Sequence, residues 1–201
     1  MSALPSLPFG GGPLYVAVFW AVFVLWQGAE LVLNIKRRSD SPDDGRDRSS
    51  FRLLGLLLAT AFTLDFLCAL LLPGAAMMAA ARSLFVVGIG CVLIGTALRW
   101  YAVATLGRFF TVQVAAQAAQ PVIDVGPYRY VRHPAYAGML LALIGFGLAL
   151  GNWAGLIAMV VLPGAGFCYR IAVEEAALLS TLGEPYARYM RRTWRLIPYL
   201  I

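Results

Sequence analysis

The sequence predicts an all-α integral membrane protein with about five transmembrane helices and a cytoplasmic C-terminal helical tail. Of its 201 residues, 61% are hydrophobic and 13% are charged, whereas soluble domains average about 45–50% apolar and about 25% charged residues. Several apolar runs approach the roughly 20 residues that a helix needs to cross a bilayer. The basic residues are concentrated between these runs and after the last one. Lipid, more than water, is therefore the expected solvent of this chain.

The five predicted spans lie at about residues 14–35, 53–72, 83–106, 135–150 and 154–172 of a single membrane domain that covers residues 1–201. Residues 1–13 contain no Lys or Arg, so they lack the basic region of a signal peptide and we expect the first span to be retained. The third span contains Gly88, Gly90 and Gly95 with no strand before them, which indicates close helix packing and not a dinucleotide-binding fingerprint. Only three residues separate the fourth span from the fifth, which predicts a tight antiparallel hairpin.

The positions of the basic residues predict the orientation in the cell membrane. Lys and Arg accumulate in cytoplasmic loops. Fourteen of the sixteen lie in the first loop, the third loop or the tail, namely Lys36, Arg37, Arg38, Arg46, Arg48, Arg52, Arg108, Arg129, Arg132, Arg170, Arg188, Arg191, Arg192 and Arg195. The N-terminus is therefore expected outside and the C-terminus in the cytoplasm. Because these cations report orientation, no nucleic-acid partner is expected from the net charge of +6.

Two segments outside the spans, residues 107–134 and 170–201, are predicted to be ordered elements on the cytoplasmic face. The first is neither apolar enough to span the bilayer nor charged enough to be a disordered tail. In the second, Gly183 suits the position after a helix end and Pro185 suits the first turn of a new helix. The tail is therefore expected to consist of a helix, a break and a second helix.

Isolated polar residues inside the spans allow two interpretations. A charge at the bilayer centre costs roughly 2.5–3.5 kcal/mol on insertion scales, so a functional role is the default hypothesis for Glu30 and Asp65. A protonated Asp65 that is hydrogen-bonded to a neighbouring helix is equally plausible. The three cysteines are isolated within apolar runs, and no Cys/His cluster with metal-ligand spacing occurs, so no metal site is expected.

The densest group of polar and aromatic residues is GPYRYVRHPAYAG at residues 126–138. Pro134 suits the first position of a helix, which places His133 at the N-terminal end of the fourth span, where free N–H groups favour anions. Tyr136 would offer a ring and a hydroxyl, and Gly138 would permit close approach of a ligand. An equally favoured alternative is that the arginines and tyrosines of this block only anchor the helix at the membrane interface.

A second group of polar residues follows the fifth span. Arg170 and Glu174 are four residues apart on one helix face, which is typical of a surface ion pair. Glu175 points in another direction. Two adjacent carboxylates at the end of a membrane helix are costly if they face lipid, so at least one is expected to face a polar cavity or a partner.

These two blocks together resemble the superfamily of isoprenylcysteine carboxyl methyltransferases and phospholipid methyltransferases. The first block is followed by Glu174 and Glu175, then by LGEPYARY at residues 182–189, and then by Arg195 and Pro198. The stretch at residues 98–112, with LGRFFT at 106–111, is similar to the segment that precedes the signature in that group. The departures are Gln120-Pro121 and Thr193-Trp194. The two blocks in this order and spacing are specific, whereas either alone would be weak.

The resemblance implies S-adenosylmethionine as the cofactor and a lipid-like substrate that enters from the bilayer. It also implies a pocket formed by the cytoplasmic ends of the last two spans and the tail. Arg170 stands where the prenylcysteine enzymes have an arginine near the substrate carboxylate, which makes it the candidate catalytic residue. The positions assigned to cofactor binding are Arg132, His133, Pro134, Tyr136, Gly138, Glu174, Glu175 and Tyr186.

The acceptor atom stays open at this point. A carboxylate acceptor could be held by Arg170 through paired hydrogen bonds, whereas an amine acceptor would need a base to remove a proton. Two alternatives to methyl transfer also remain, namely an NADPH-dependent membrane reductase of related fold and a non-catalytic membrane protein. Binding of S-adenosylhomocysteine or of NADPH distinguishes them.

Overall fold

The computed structural model describes residues 12–36, 45–110 and 121–199 of the chain. Several sequence-based expectations lie outside these residues. They concern the first eleven residues, the loop cations Arg37 and Arg38, and the family-like positions Thr111 and Gln120.

Six α-helices form the described part of the protein, and no strand occurs in it. They are α1 (Pro13–Lys36), α2 (Gly45–Leu71), α3 (Ala81–Leu106), α4 (Pro134–Leu150), α5 (Trp153–Leu182) and α6 (Glu184–Arg192). Four of them, α1, α2, α3 and α5, are long and apolar enough to cross a membrane, and α4 is a shorter apolar helix of 17 residues. The predicted all-α integral membrane fold is therefore confirmed. Both α2 and α5 extend beyond the predicted spans, because polar turns continue each helix past its apolar run.

The bundle is built on two close helix pairs, α3 with α4 and α2 with α5. Glycines bring the first pair together, because a Cβ added at Gly138 would meet the carbonyl oxygen of Gly95 at 2.5 Å, and one at Gly88 would meet that of Gly145 at 2.5 Å. The predicted packing role is therefore confirmed for Gly88 and Gly95. It is wrong for Gly90, around which no atom lies within 4 Å of an added Cβ.

Gly138 offers a test of this packing. We expect Gly138→Ala to lower the free energy of unfolding by about 1–3 kcal/mol, because the obstructing atoms belong to the backbone of α3 and cannot rotate away. The measurement is the midpoint of thermal unfolding in detergent. Gly90→Ala is the matched control on the same helix pair, and it should be neutral or slightly stabilising since alanine favours helix. Equal midpoints for the two variants would contradict the close contact.

Helix α1 has few close backbone approaches to the bundle and packs mainly through aromatic side chains. The rings of Phe19, Phe23 and Trp26 all lie against Phe146 of α4, with centroids 5.8, 5.7 and 5.3 Å away. Phe62 of α2 joins the same cluster. Such edge-on ring contacts stabilise the N-terminal half of α1 without close helix packing.

The predicted tight hairpin between α4 and α5 is present, and Asn152 organises it. Gly151 ends α4 with a left-handed backbone (φ 69°). The Asn152 side chain then caps α5 by accepting hydrogen bonds from the N–H groups of Ala154 and Gly155. Its amide also donates to the carbonyl oxygens of Cys68 and Leu72, which end α2. One buried asparagine therefore joins three helix ends.

Asp65 is fully buried between α2 and α5, where its carboxyl group contacts Gly155. Within the described residues, neither of its carboxyl oxygens has a hydrogen-bond partner. Of the two interpretations of Asp65, the one with a hydrogen bond to a neighbouring helix is thus not borne out. Gly155 instead leaves space for the carboxyl group against the backbone of α5.

Candidate functional site

The block at residues 126–138, called the signature block from here on, leads into α4, and its prolines favour this start of the helix. A 3₁₀ turn, Gly126–Arg129, starts with a left-handed glycine (φ 57°) and leads to His133, which lies at the N-cap of α4. Pro134 occupies the first helical turn, where its missing N–H is not required. The predicted position of His133 at the start of the fourth span is therefore confirmed.

The C-terminal tail is bound to this entry through the backbone. The N–H of Arg132 donates to the carbonyl of Trp194 at 2.8 Å, and the N–H of Trp194 donates to that of Tyr130 at 2.9 Å. The N–H of His133 donates to the carbonyl of Arg195 at 3.1 Å. The N–H groups of Arg132 and His133 are thus occupied by carbonyl groups of the tail. The expected anion site therefore depends on side chains more than on the backbone N–H groups of Arg132 and His133.

Glu175 is the centre of the ionic contacts between α5, the signature block and the tail. Its carboxylate accepts hydrogen bonds from Arg132 at 2.8 Å and lies 3.3 Å from Nε2 of His133. Arg195 of the tail adds an ion pair at 2.9 Å. The side chain of Glu175 is 5% exposed, so its contacts with the buried Arg132 and His133 are screened little by water. The two sequence blocks therefore meet at this residue.

Arg132 extends the same connection into the tail. Its Nη1 donates to the carbonyl oxygens of Met190 and Thr193, while its Nε binds Glu175. Tyr189 adds a further link, because its hydroxyl donates to the carbonyl of Tyr128 at 2.7 Å. Helix α6 and the residues after it are consequently fixed over the start of α4.

Glu174 differs from its neighbour because its carboxylate faces a cavity. It accepts a hydrogen bond from the hydroxyl of Tyr136 at 3.1 Å and lies 3.9 Å from Nδ1 of His133. Its side chain is 30% exposed. His133 is thus placed between two carboxylates, one at each ring nitrogen.

Arg170 is almost fully buried, with 1% of its surface exposed. Its Nη1 donates to the hydroxyl of Ser50 in α2 at 2.6 Å, and its guanidinium lies 5.9 Å from the ring of Phe51. It also adjoins the side chain of Tyr136. The expected surface ion pair is therefore wrong for Arg170, because α2 covers this side of α5.

A cavity of about 430 Å³ connects these groups. Six of the nine predicted site residues line it, namely Arg132, His133, Tyr136, Arg170, Glu174 and Tyr186. Its other walls are largely apolar and include Leu54, Leu58, Phe62 and Met139. Polar groups and hydrocarbon surface thus share one chamber, as expected of a site for an amphiphile.

Three predicted site residues lie away from the cavity lining. Pro134 is buried beneath it, Gly138 contacts α3, and Glu175 is enclosed by its ion pairs. Their physical roles in the structure are to start a helix, to admit a close helix contact and to join the tail to α5. Of the two adjacent carboxylates of α5, that of Glu174 is the one that lines the cavity.

The tyrosines around the site remain neutral hydroxyl groups. Burial raises the pKa of Tyr128, Tyr186 and Tyr189 above the ordinary value, and the carboxylate of Glu174 raises the first two further. These phenols therefore act as hydrogen-bond partners and ring surfaces, and they do not supply an anionic base.

A buried ion pair on the cavity wall was not recognised as a pair from the sequence. Arg99 of α3 binds Glu30 of α1 through two hydrogen bonds of 2.6 and 2.7 Å, and both residues line the cavity. The available signal was that each is an ionisable residue within an apolar span, and such residues are usually paired.

Comparison with known proteins agrees with this architecture. The model of the isoprenylcysteine carboxyl methyltransferase family matches residues 87–180. These matches support the resemblance of the chain to the isoprenylcysteine carboxyl methyltransferase superfamily. The family match covers most of α3, the signature block, α4 and most of α5, and it thus includes the cavity residues from Arg99 to Leu178.

Two curated members of the superfamily illustrate the similarity. A probable protein-S-isoprenylcysteine O-methyltransferase of Oryza sativa subsp. indica is 32% identical over 57% of this chain and 61% of its own length. The protein-S-isoprenylcysteine O-methyltransferase of Schizosaccharomyces pombe is 31% identical over 56% of this chain and 48% of its own length. The matched segment therefore spans about half to three fifths of these relatives.

A solved structure shares the fold over a larger part of the chain. It is that of the eukaryotic intramembrane Ras methyltransferase called isoprenylcysteine carboxyl methyltransferase. The superposition has a TM-score of 0.69 and covers 92% of this chain and 67% of the other, at 22% sequence identity. The shared fold therefore includes α1 and α2, which precede the residues that the family model matches.

Proposed function

We propose that this protein transfers a methyl group from S-adenosylmethionine to the carboxylate of a lipid-like or prenylated acceptor at the membrane surface. The observation that carries the proposal is the single cavity in which the acidic and basic residues of both sequence blocks meet an apolar wall from α2 and α4. The names of the curated relatives support the same reaction class.

The residues at the polar end suit the donor. S-adenosylmethionine supplies an electrophilic methyl group on a positively charged sulfur, and it also carries an amino group and a carboxylate. Glu174 and the ring faces of Tyr136 and Tyr186 offer negative charge and π surface for the cationic groups. Arg132 and His133 provide donors for the carboxylate.

Arg170 suits the acceptor. A guanidinium binds a carboxylate through two parallel hydrogen bonds, and its fixed partners Ser50 and Phe51 limit its movement. A carboxylate is already ionised at neutral pH, so its attack needs no general base. The protein then contributes positioning and exclusion of water, since the tail covers the polar end and the remaining walls are largely apolar.

The location of the reaction follows from the predicted orientation. The cavity lies at the ends of α4 and α5 that adjoin the Arg-rich tail. If the basic residues face the cytoplasm, the donor reaches the site from the cytoplasm and the hydrocarbon part of the acceptor remains at the inner leaflet. The proposed membrane is the cell membrane.

Calorimetry with S-adenosylhomocysteine tests the donor site in the full-length protein, purified in a detergent that keeps it folded. We expect saturable binding with one site per chain, and no comparable heat with NADPH. A folded sample without a signal for S-adenosylhomocysteine would refute the proposal, and a signal for NADPH alone would favour the reductase alternative.

A transfer assay tests the acceptor. Donor with a radiolabelled methyl group is offered together with a prenylated cysteine derivative that has a free carboxylate, or with phosphatidylethanolamine as an amine acceptor. We expect base-labile methyl ester to form on the first only. Labelling of the amine lipid instead would assign a different acceptor atom to the same cavity.

A further inference from the structure

The C-terminal half of α1, which follows Trp26, is attached to the bundle differently from its N-terminal half. Toward the N-terminus, Phe19, Phe23 and Trp26 pack into the aromatic cluster. One turn further on, Glu30 binds Arg99 of α3 through both of its carboxylate oxygens. Few backbone atoms of α1 approach other helices, so this ion pair is a principal contact of its C-terminal half.

Arg99 is itself fixed with respect to the signature block. An added Cβ at Gly138 would meet the backbone nitrogen of Arg99 at 2.8 Å, which shows how closely the two helices cross there. Nη1 of Arg99 lies 3.4 Å from the carbonyl oxygen of Ala135, in the first turn of α4. Any movement of Arg99 relative to α4 is therefore small. Because Glu30 is bound to Arg99, its position relative to α4 is fixed as well.

The residues of α1 that line the cavity lie on one helix face around the ion pair. They are Trp26, Gln27, Glu30 and Asn34. An apolar stripe on α2 that includes Leu54 and Leu58 also lines the cavity. The position of α1 relative to the rest of the bundle therefore affects the width of the cavity beside these residues.

We propose that Glu30 and Arg99 are positioning residues that hold α1 as one wall of the acceptor side of the cavity and thereby control binding of the lipid-like acceptor but not of the donor. This inference rests on the proposed function, which assigns one side of the cavity to the acceptor and the other to the donor. Two further features agree with it. The pair is buried, with side chains 11% and 9% exposed, and its paired geometry leaves α1 one orientation about Arg99.

The first test is structural and does not depend on activity. Spin labels are attached at Ile35 of α1 and Ile94 of α3, both exposed, in a variant without the native cysteines, and the distance between them is measured in lipid nanodiscs. We expect a narrow distribution for the unchanged pair, a broad one for Glu30→Gln, and recovery in the Glu30→Arg/Arg99→Glu double variant. A distribution that stays narrow in Glu30→Gln would overturn the inference.

The second test separates acceptor from donor. In Glu30→Gln we expect the KM for the prenylated cysteine derivative to rise about tenfold or more, since small misplacements of a binding wall are costly. The dissociation constant for S-adenosylhomocysteine should stay within about twofold, because the donor contacts are unchanged. Equal losses of donor and acceptor binding, or an unchanged KM, would overturn the assignment of α1 to the acceptor.

Glu184→Gln provides the matched control. It removes the same kind of ion pair, Glu184 with Arg191, but both side chains are well exposed and neither lines the cavity. Exposed pairs contribute little, so both readouts should equal those of the unchanged protein. If the unchanged protein binds no donor and transfers no methyl group, the proposed function fails, while the distance measurement still decides the positioning role.

Discussion

Replacing Glu175 by glutamine should both unfold the tail and weaken donor binding. The change leaves Arg132, at 9% exposure, without its carboxylate and removes the partner of Arg195. Breaking a buried ion pair by neutralising one member is strongly destabilising, and we expect a loss of about 3 kcal/mol. The measurements are the midpoint of thermal unfolding and the protease sensitivity of the segment after Gly183.

Glu174→Gln is the matched control for this experiment, since it makes the same chemical change one residue earlier. Its carboxylate faces the cavity, with Tyr136 as its hydrogen-bond donor. We expect nearly unchanged thermal stability and unchanged resistance of the tail to protease, but weaker binding of S-adenosylhomocysteine. If Glu174→Gln instead unfolded the tail and Glu175→Gln did not, the roles of the two carboxylates would be reversed.

Replacing Arg170 by lysine should lower kcat/KM for a carboxylate acceptor by about 100-fold, which corresponds to about 2.7 kcal/mol. Lysine keeps the positive charge but loses the planar pair of donors that a carboxylate accepts, and its ammonium is a point charge. The rate is measured with saturating donor and a varied concentration of the prenylated cysteine derivative. Affinity for S-adenosylhomocysteine should be retained.

Ser50→Ala tests whether Arg170 acts through its position. The hydroxyl of Ser50 accepts a hydrogen bond from Arg170 at 2.6 Å. Its loss should leave the guanidinium in place but less restricted, so we expect a decrease in kcat/KM of about tenfold, smaller than that of Arg170→Lys. An Arg170→Lys variant with the activity of the unchanged protein would show that the acceptor is held elsewhere.

Local sequence rules account for much of the scaffold. Apolar run length located all the long helices, because a bilayer admits few other structures. Proline and glycine located the start of α4 and the break before α6, since each has a restricted or exceptional backbone. The alternative that the signature block only anchors α4 at the interface is disfavoured by the burial of His133 and the ion pairs around it.

The sequence by itself determined a helical membrane protein, its resemblance to the isoprenylcysteine carboxyl methyltransferase superfamily and the two blocks that meet at the cavity. Only the tertiary structure decided that Glu174 faces the cavity while Glu175 joins the tail to α5, because adjacent helical residues point about 100° apart and only the neighbouring elements show what each meets. It also decided that Gly138 packs against α3, and that Glu30 and Arg99, 69 residues apart, form one ion pair. Such pairings depend on how helices are arranged in space, which short-range sequence patterns do not record.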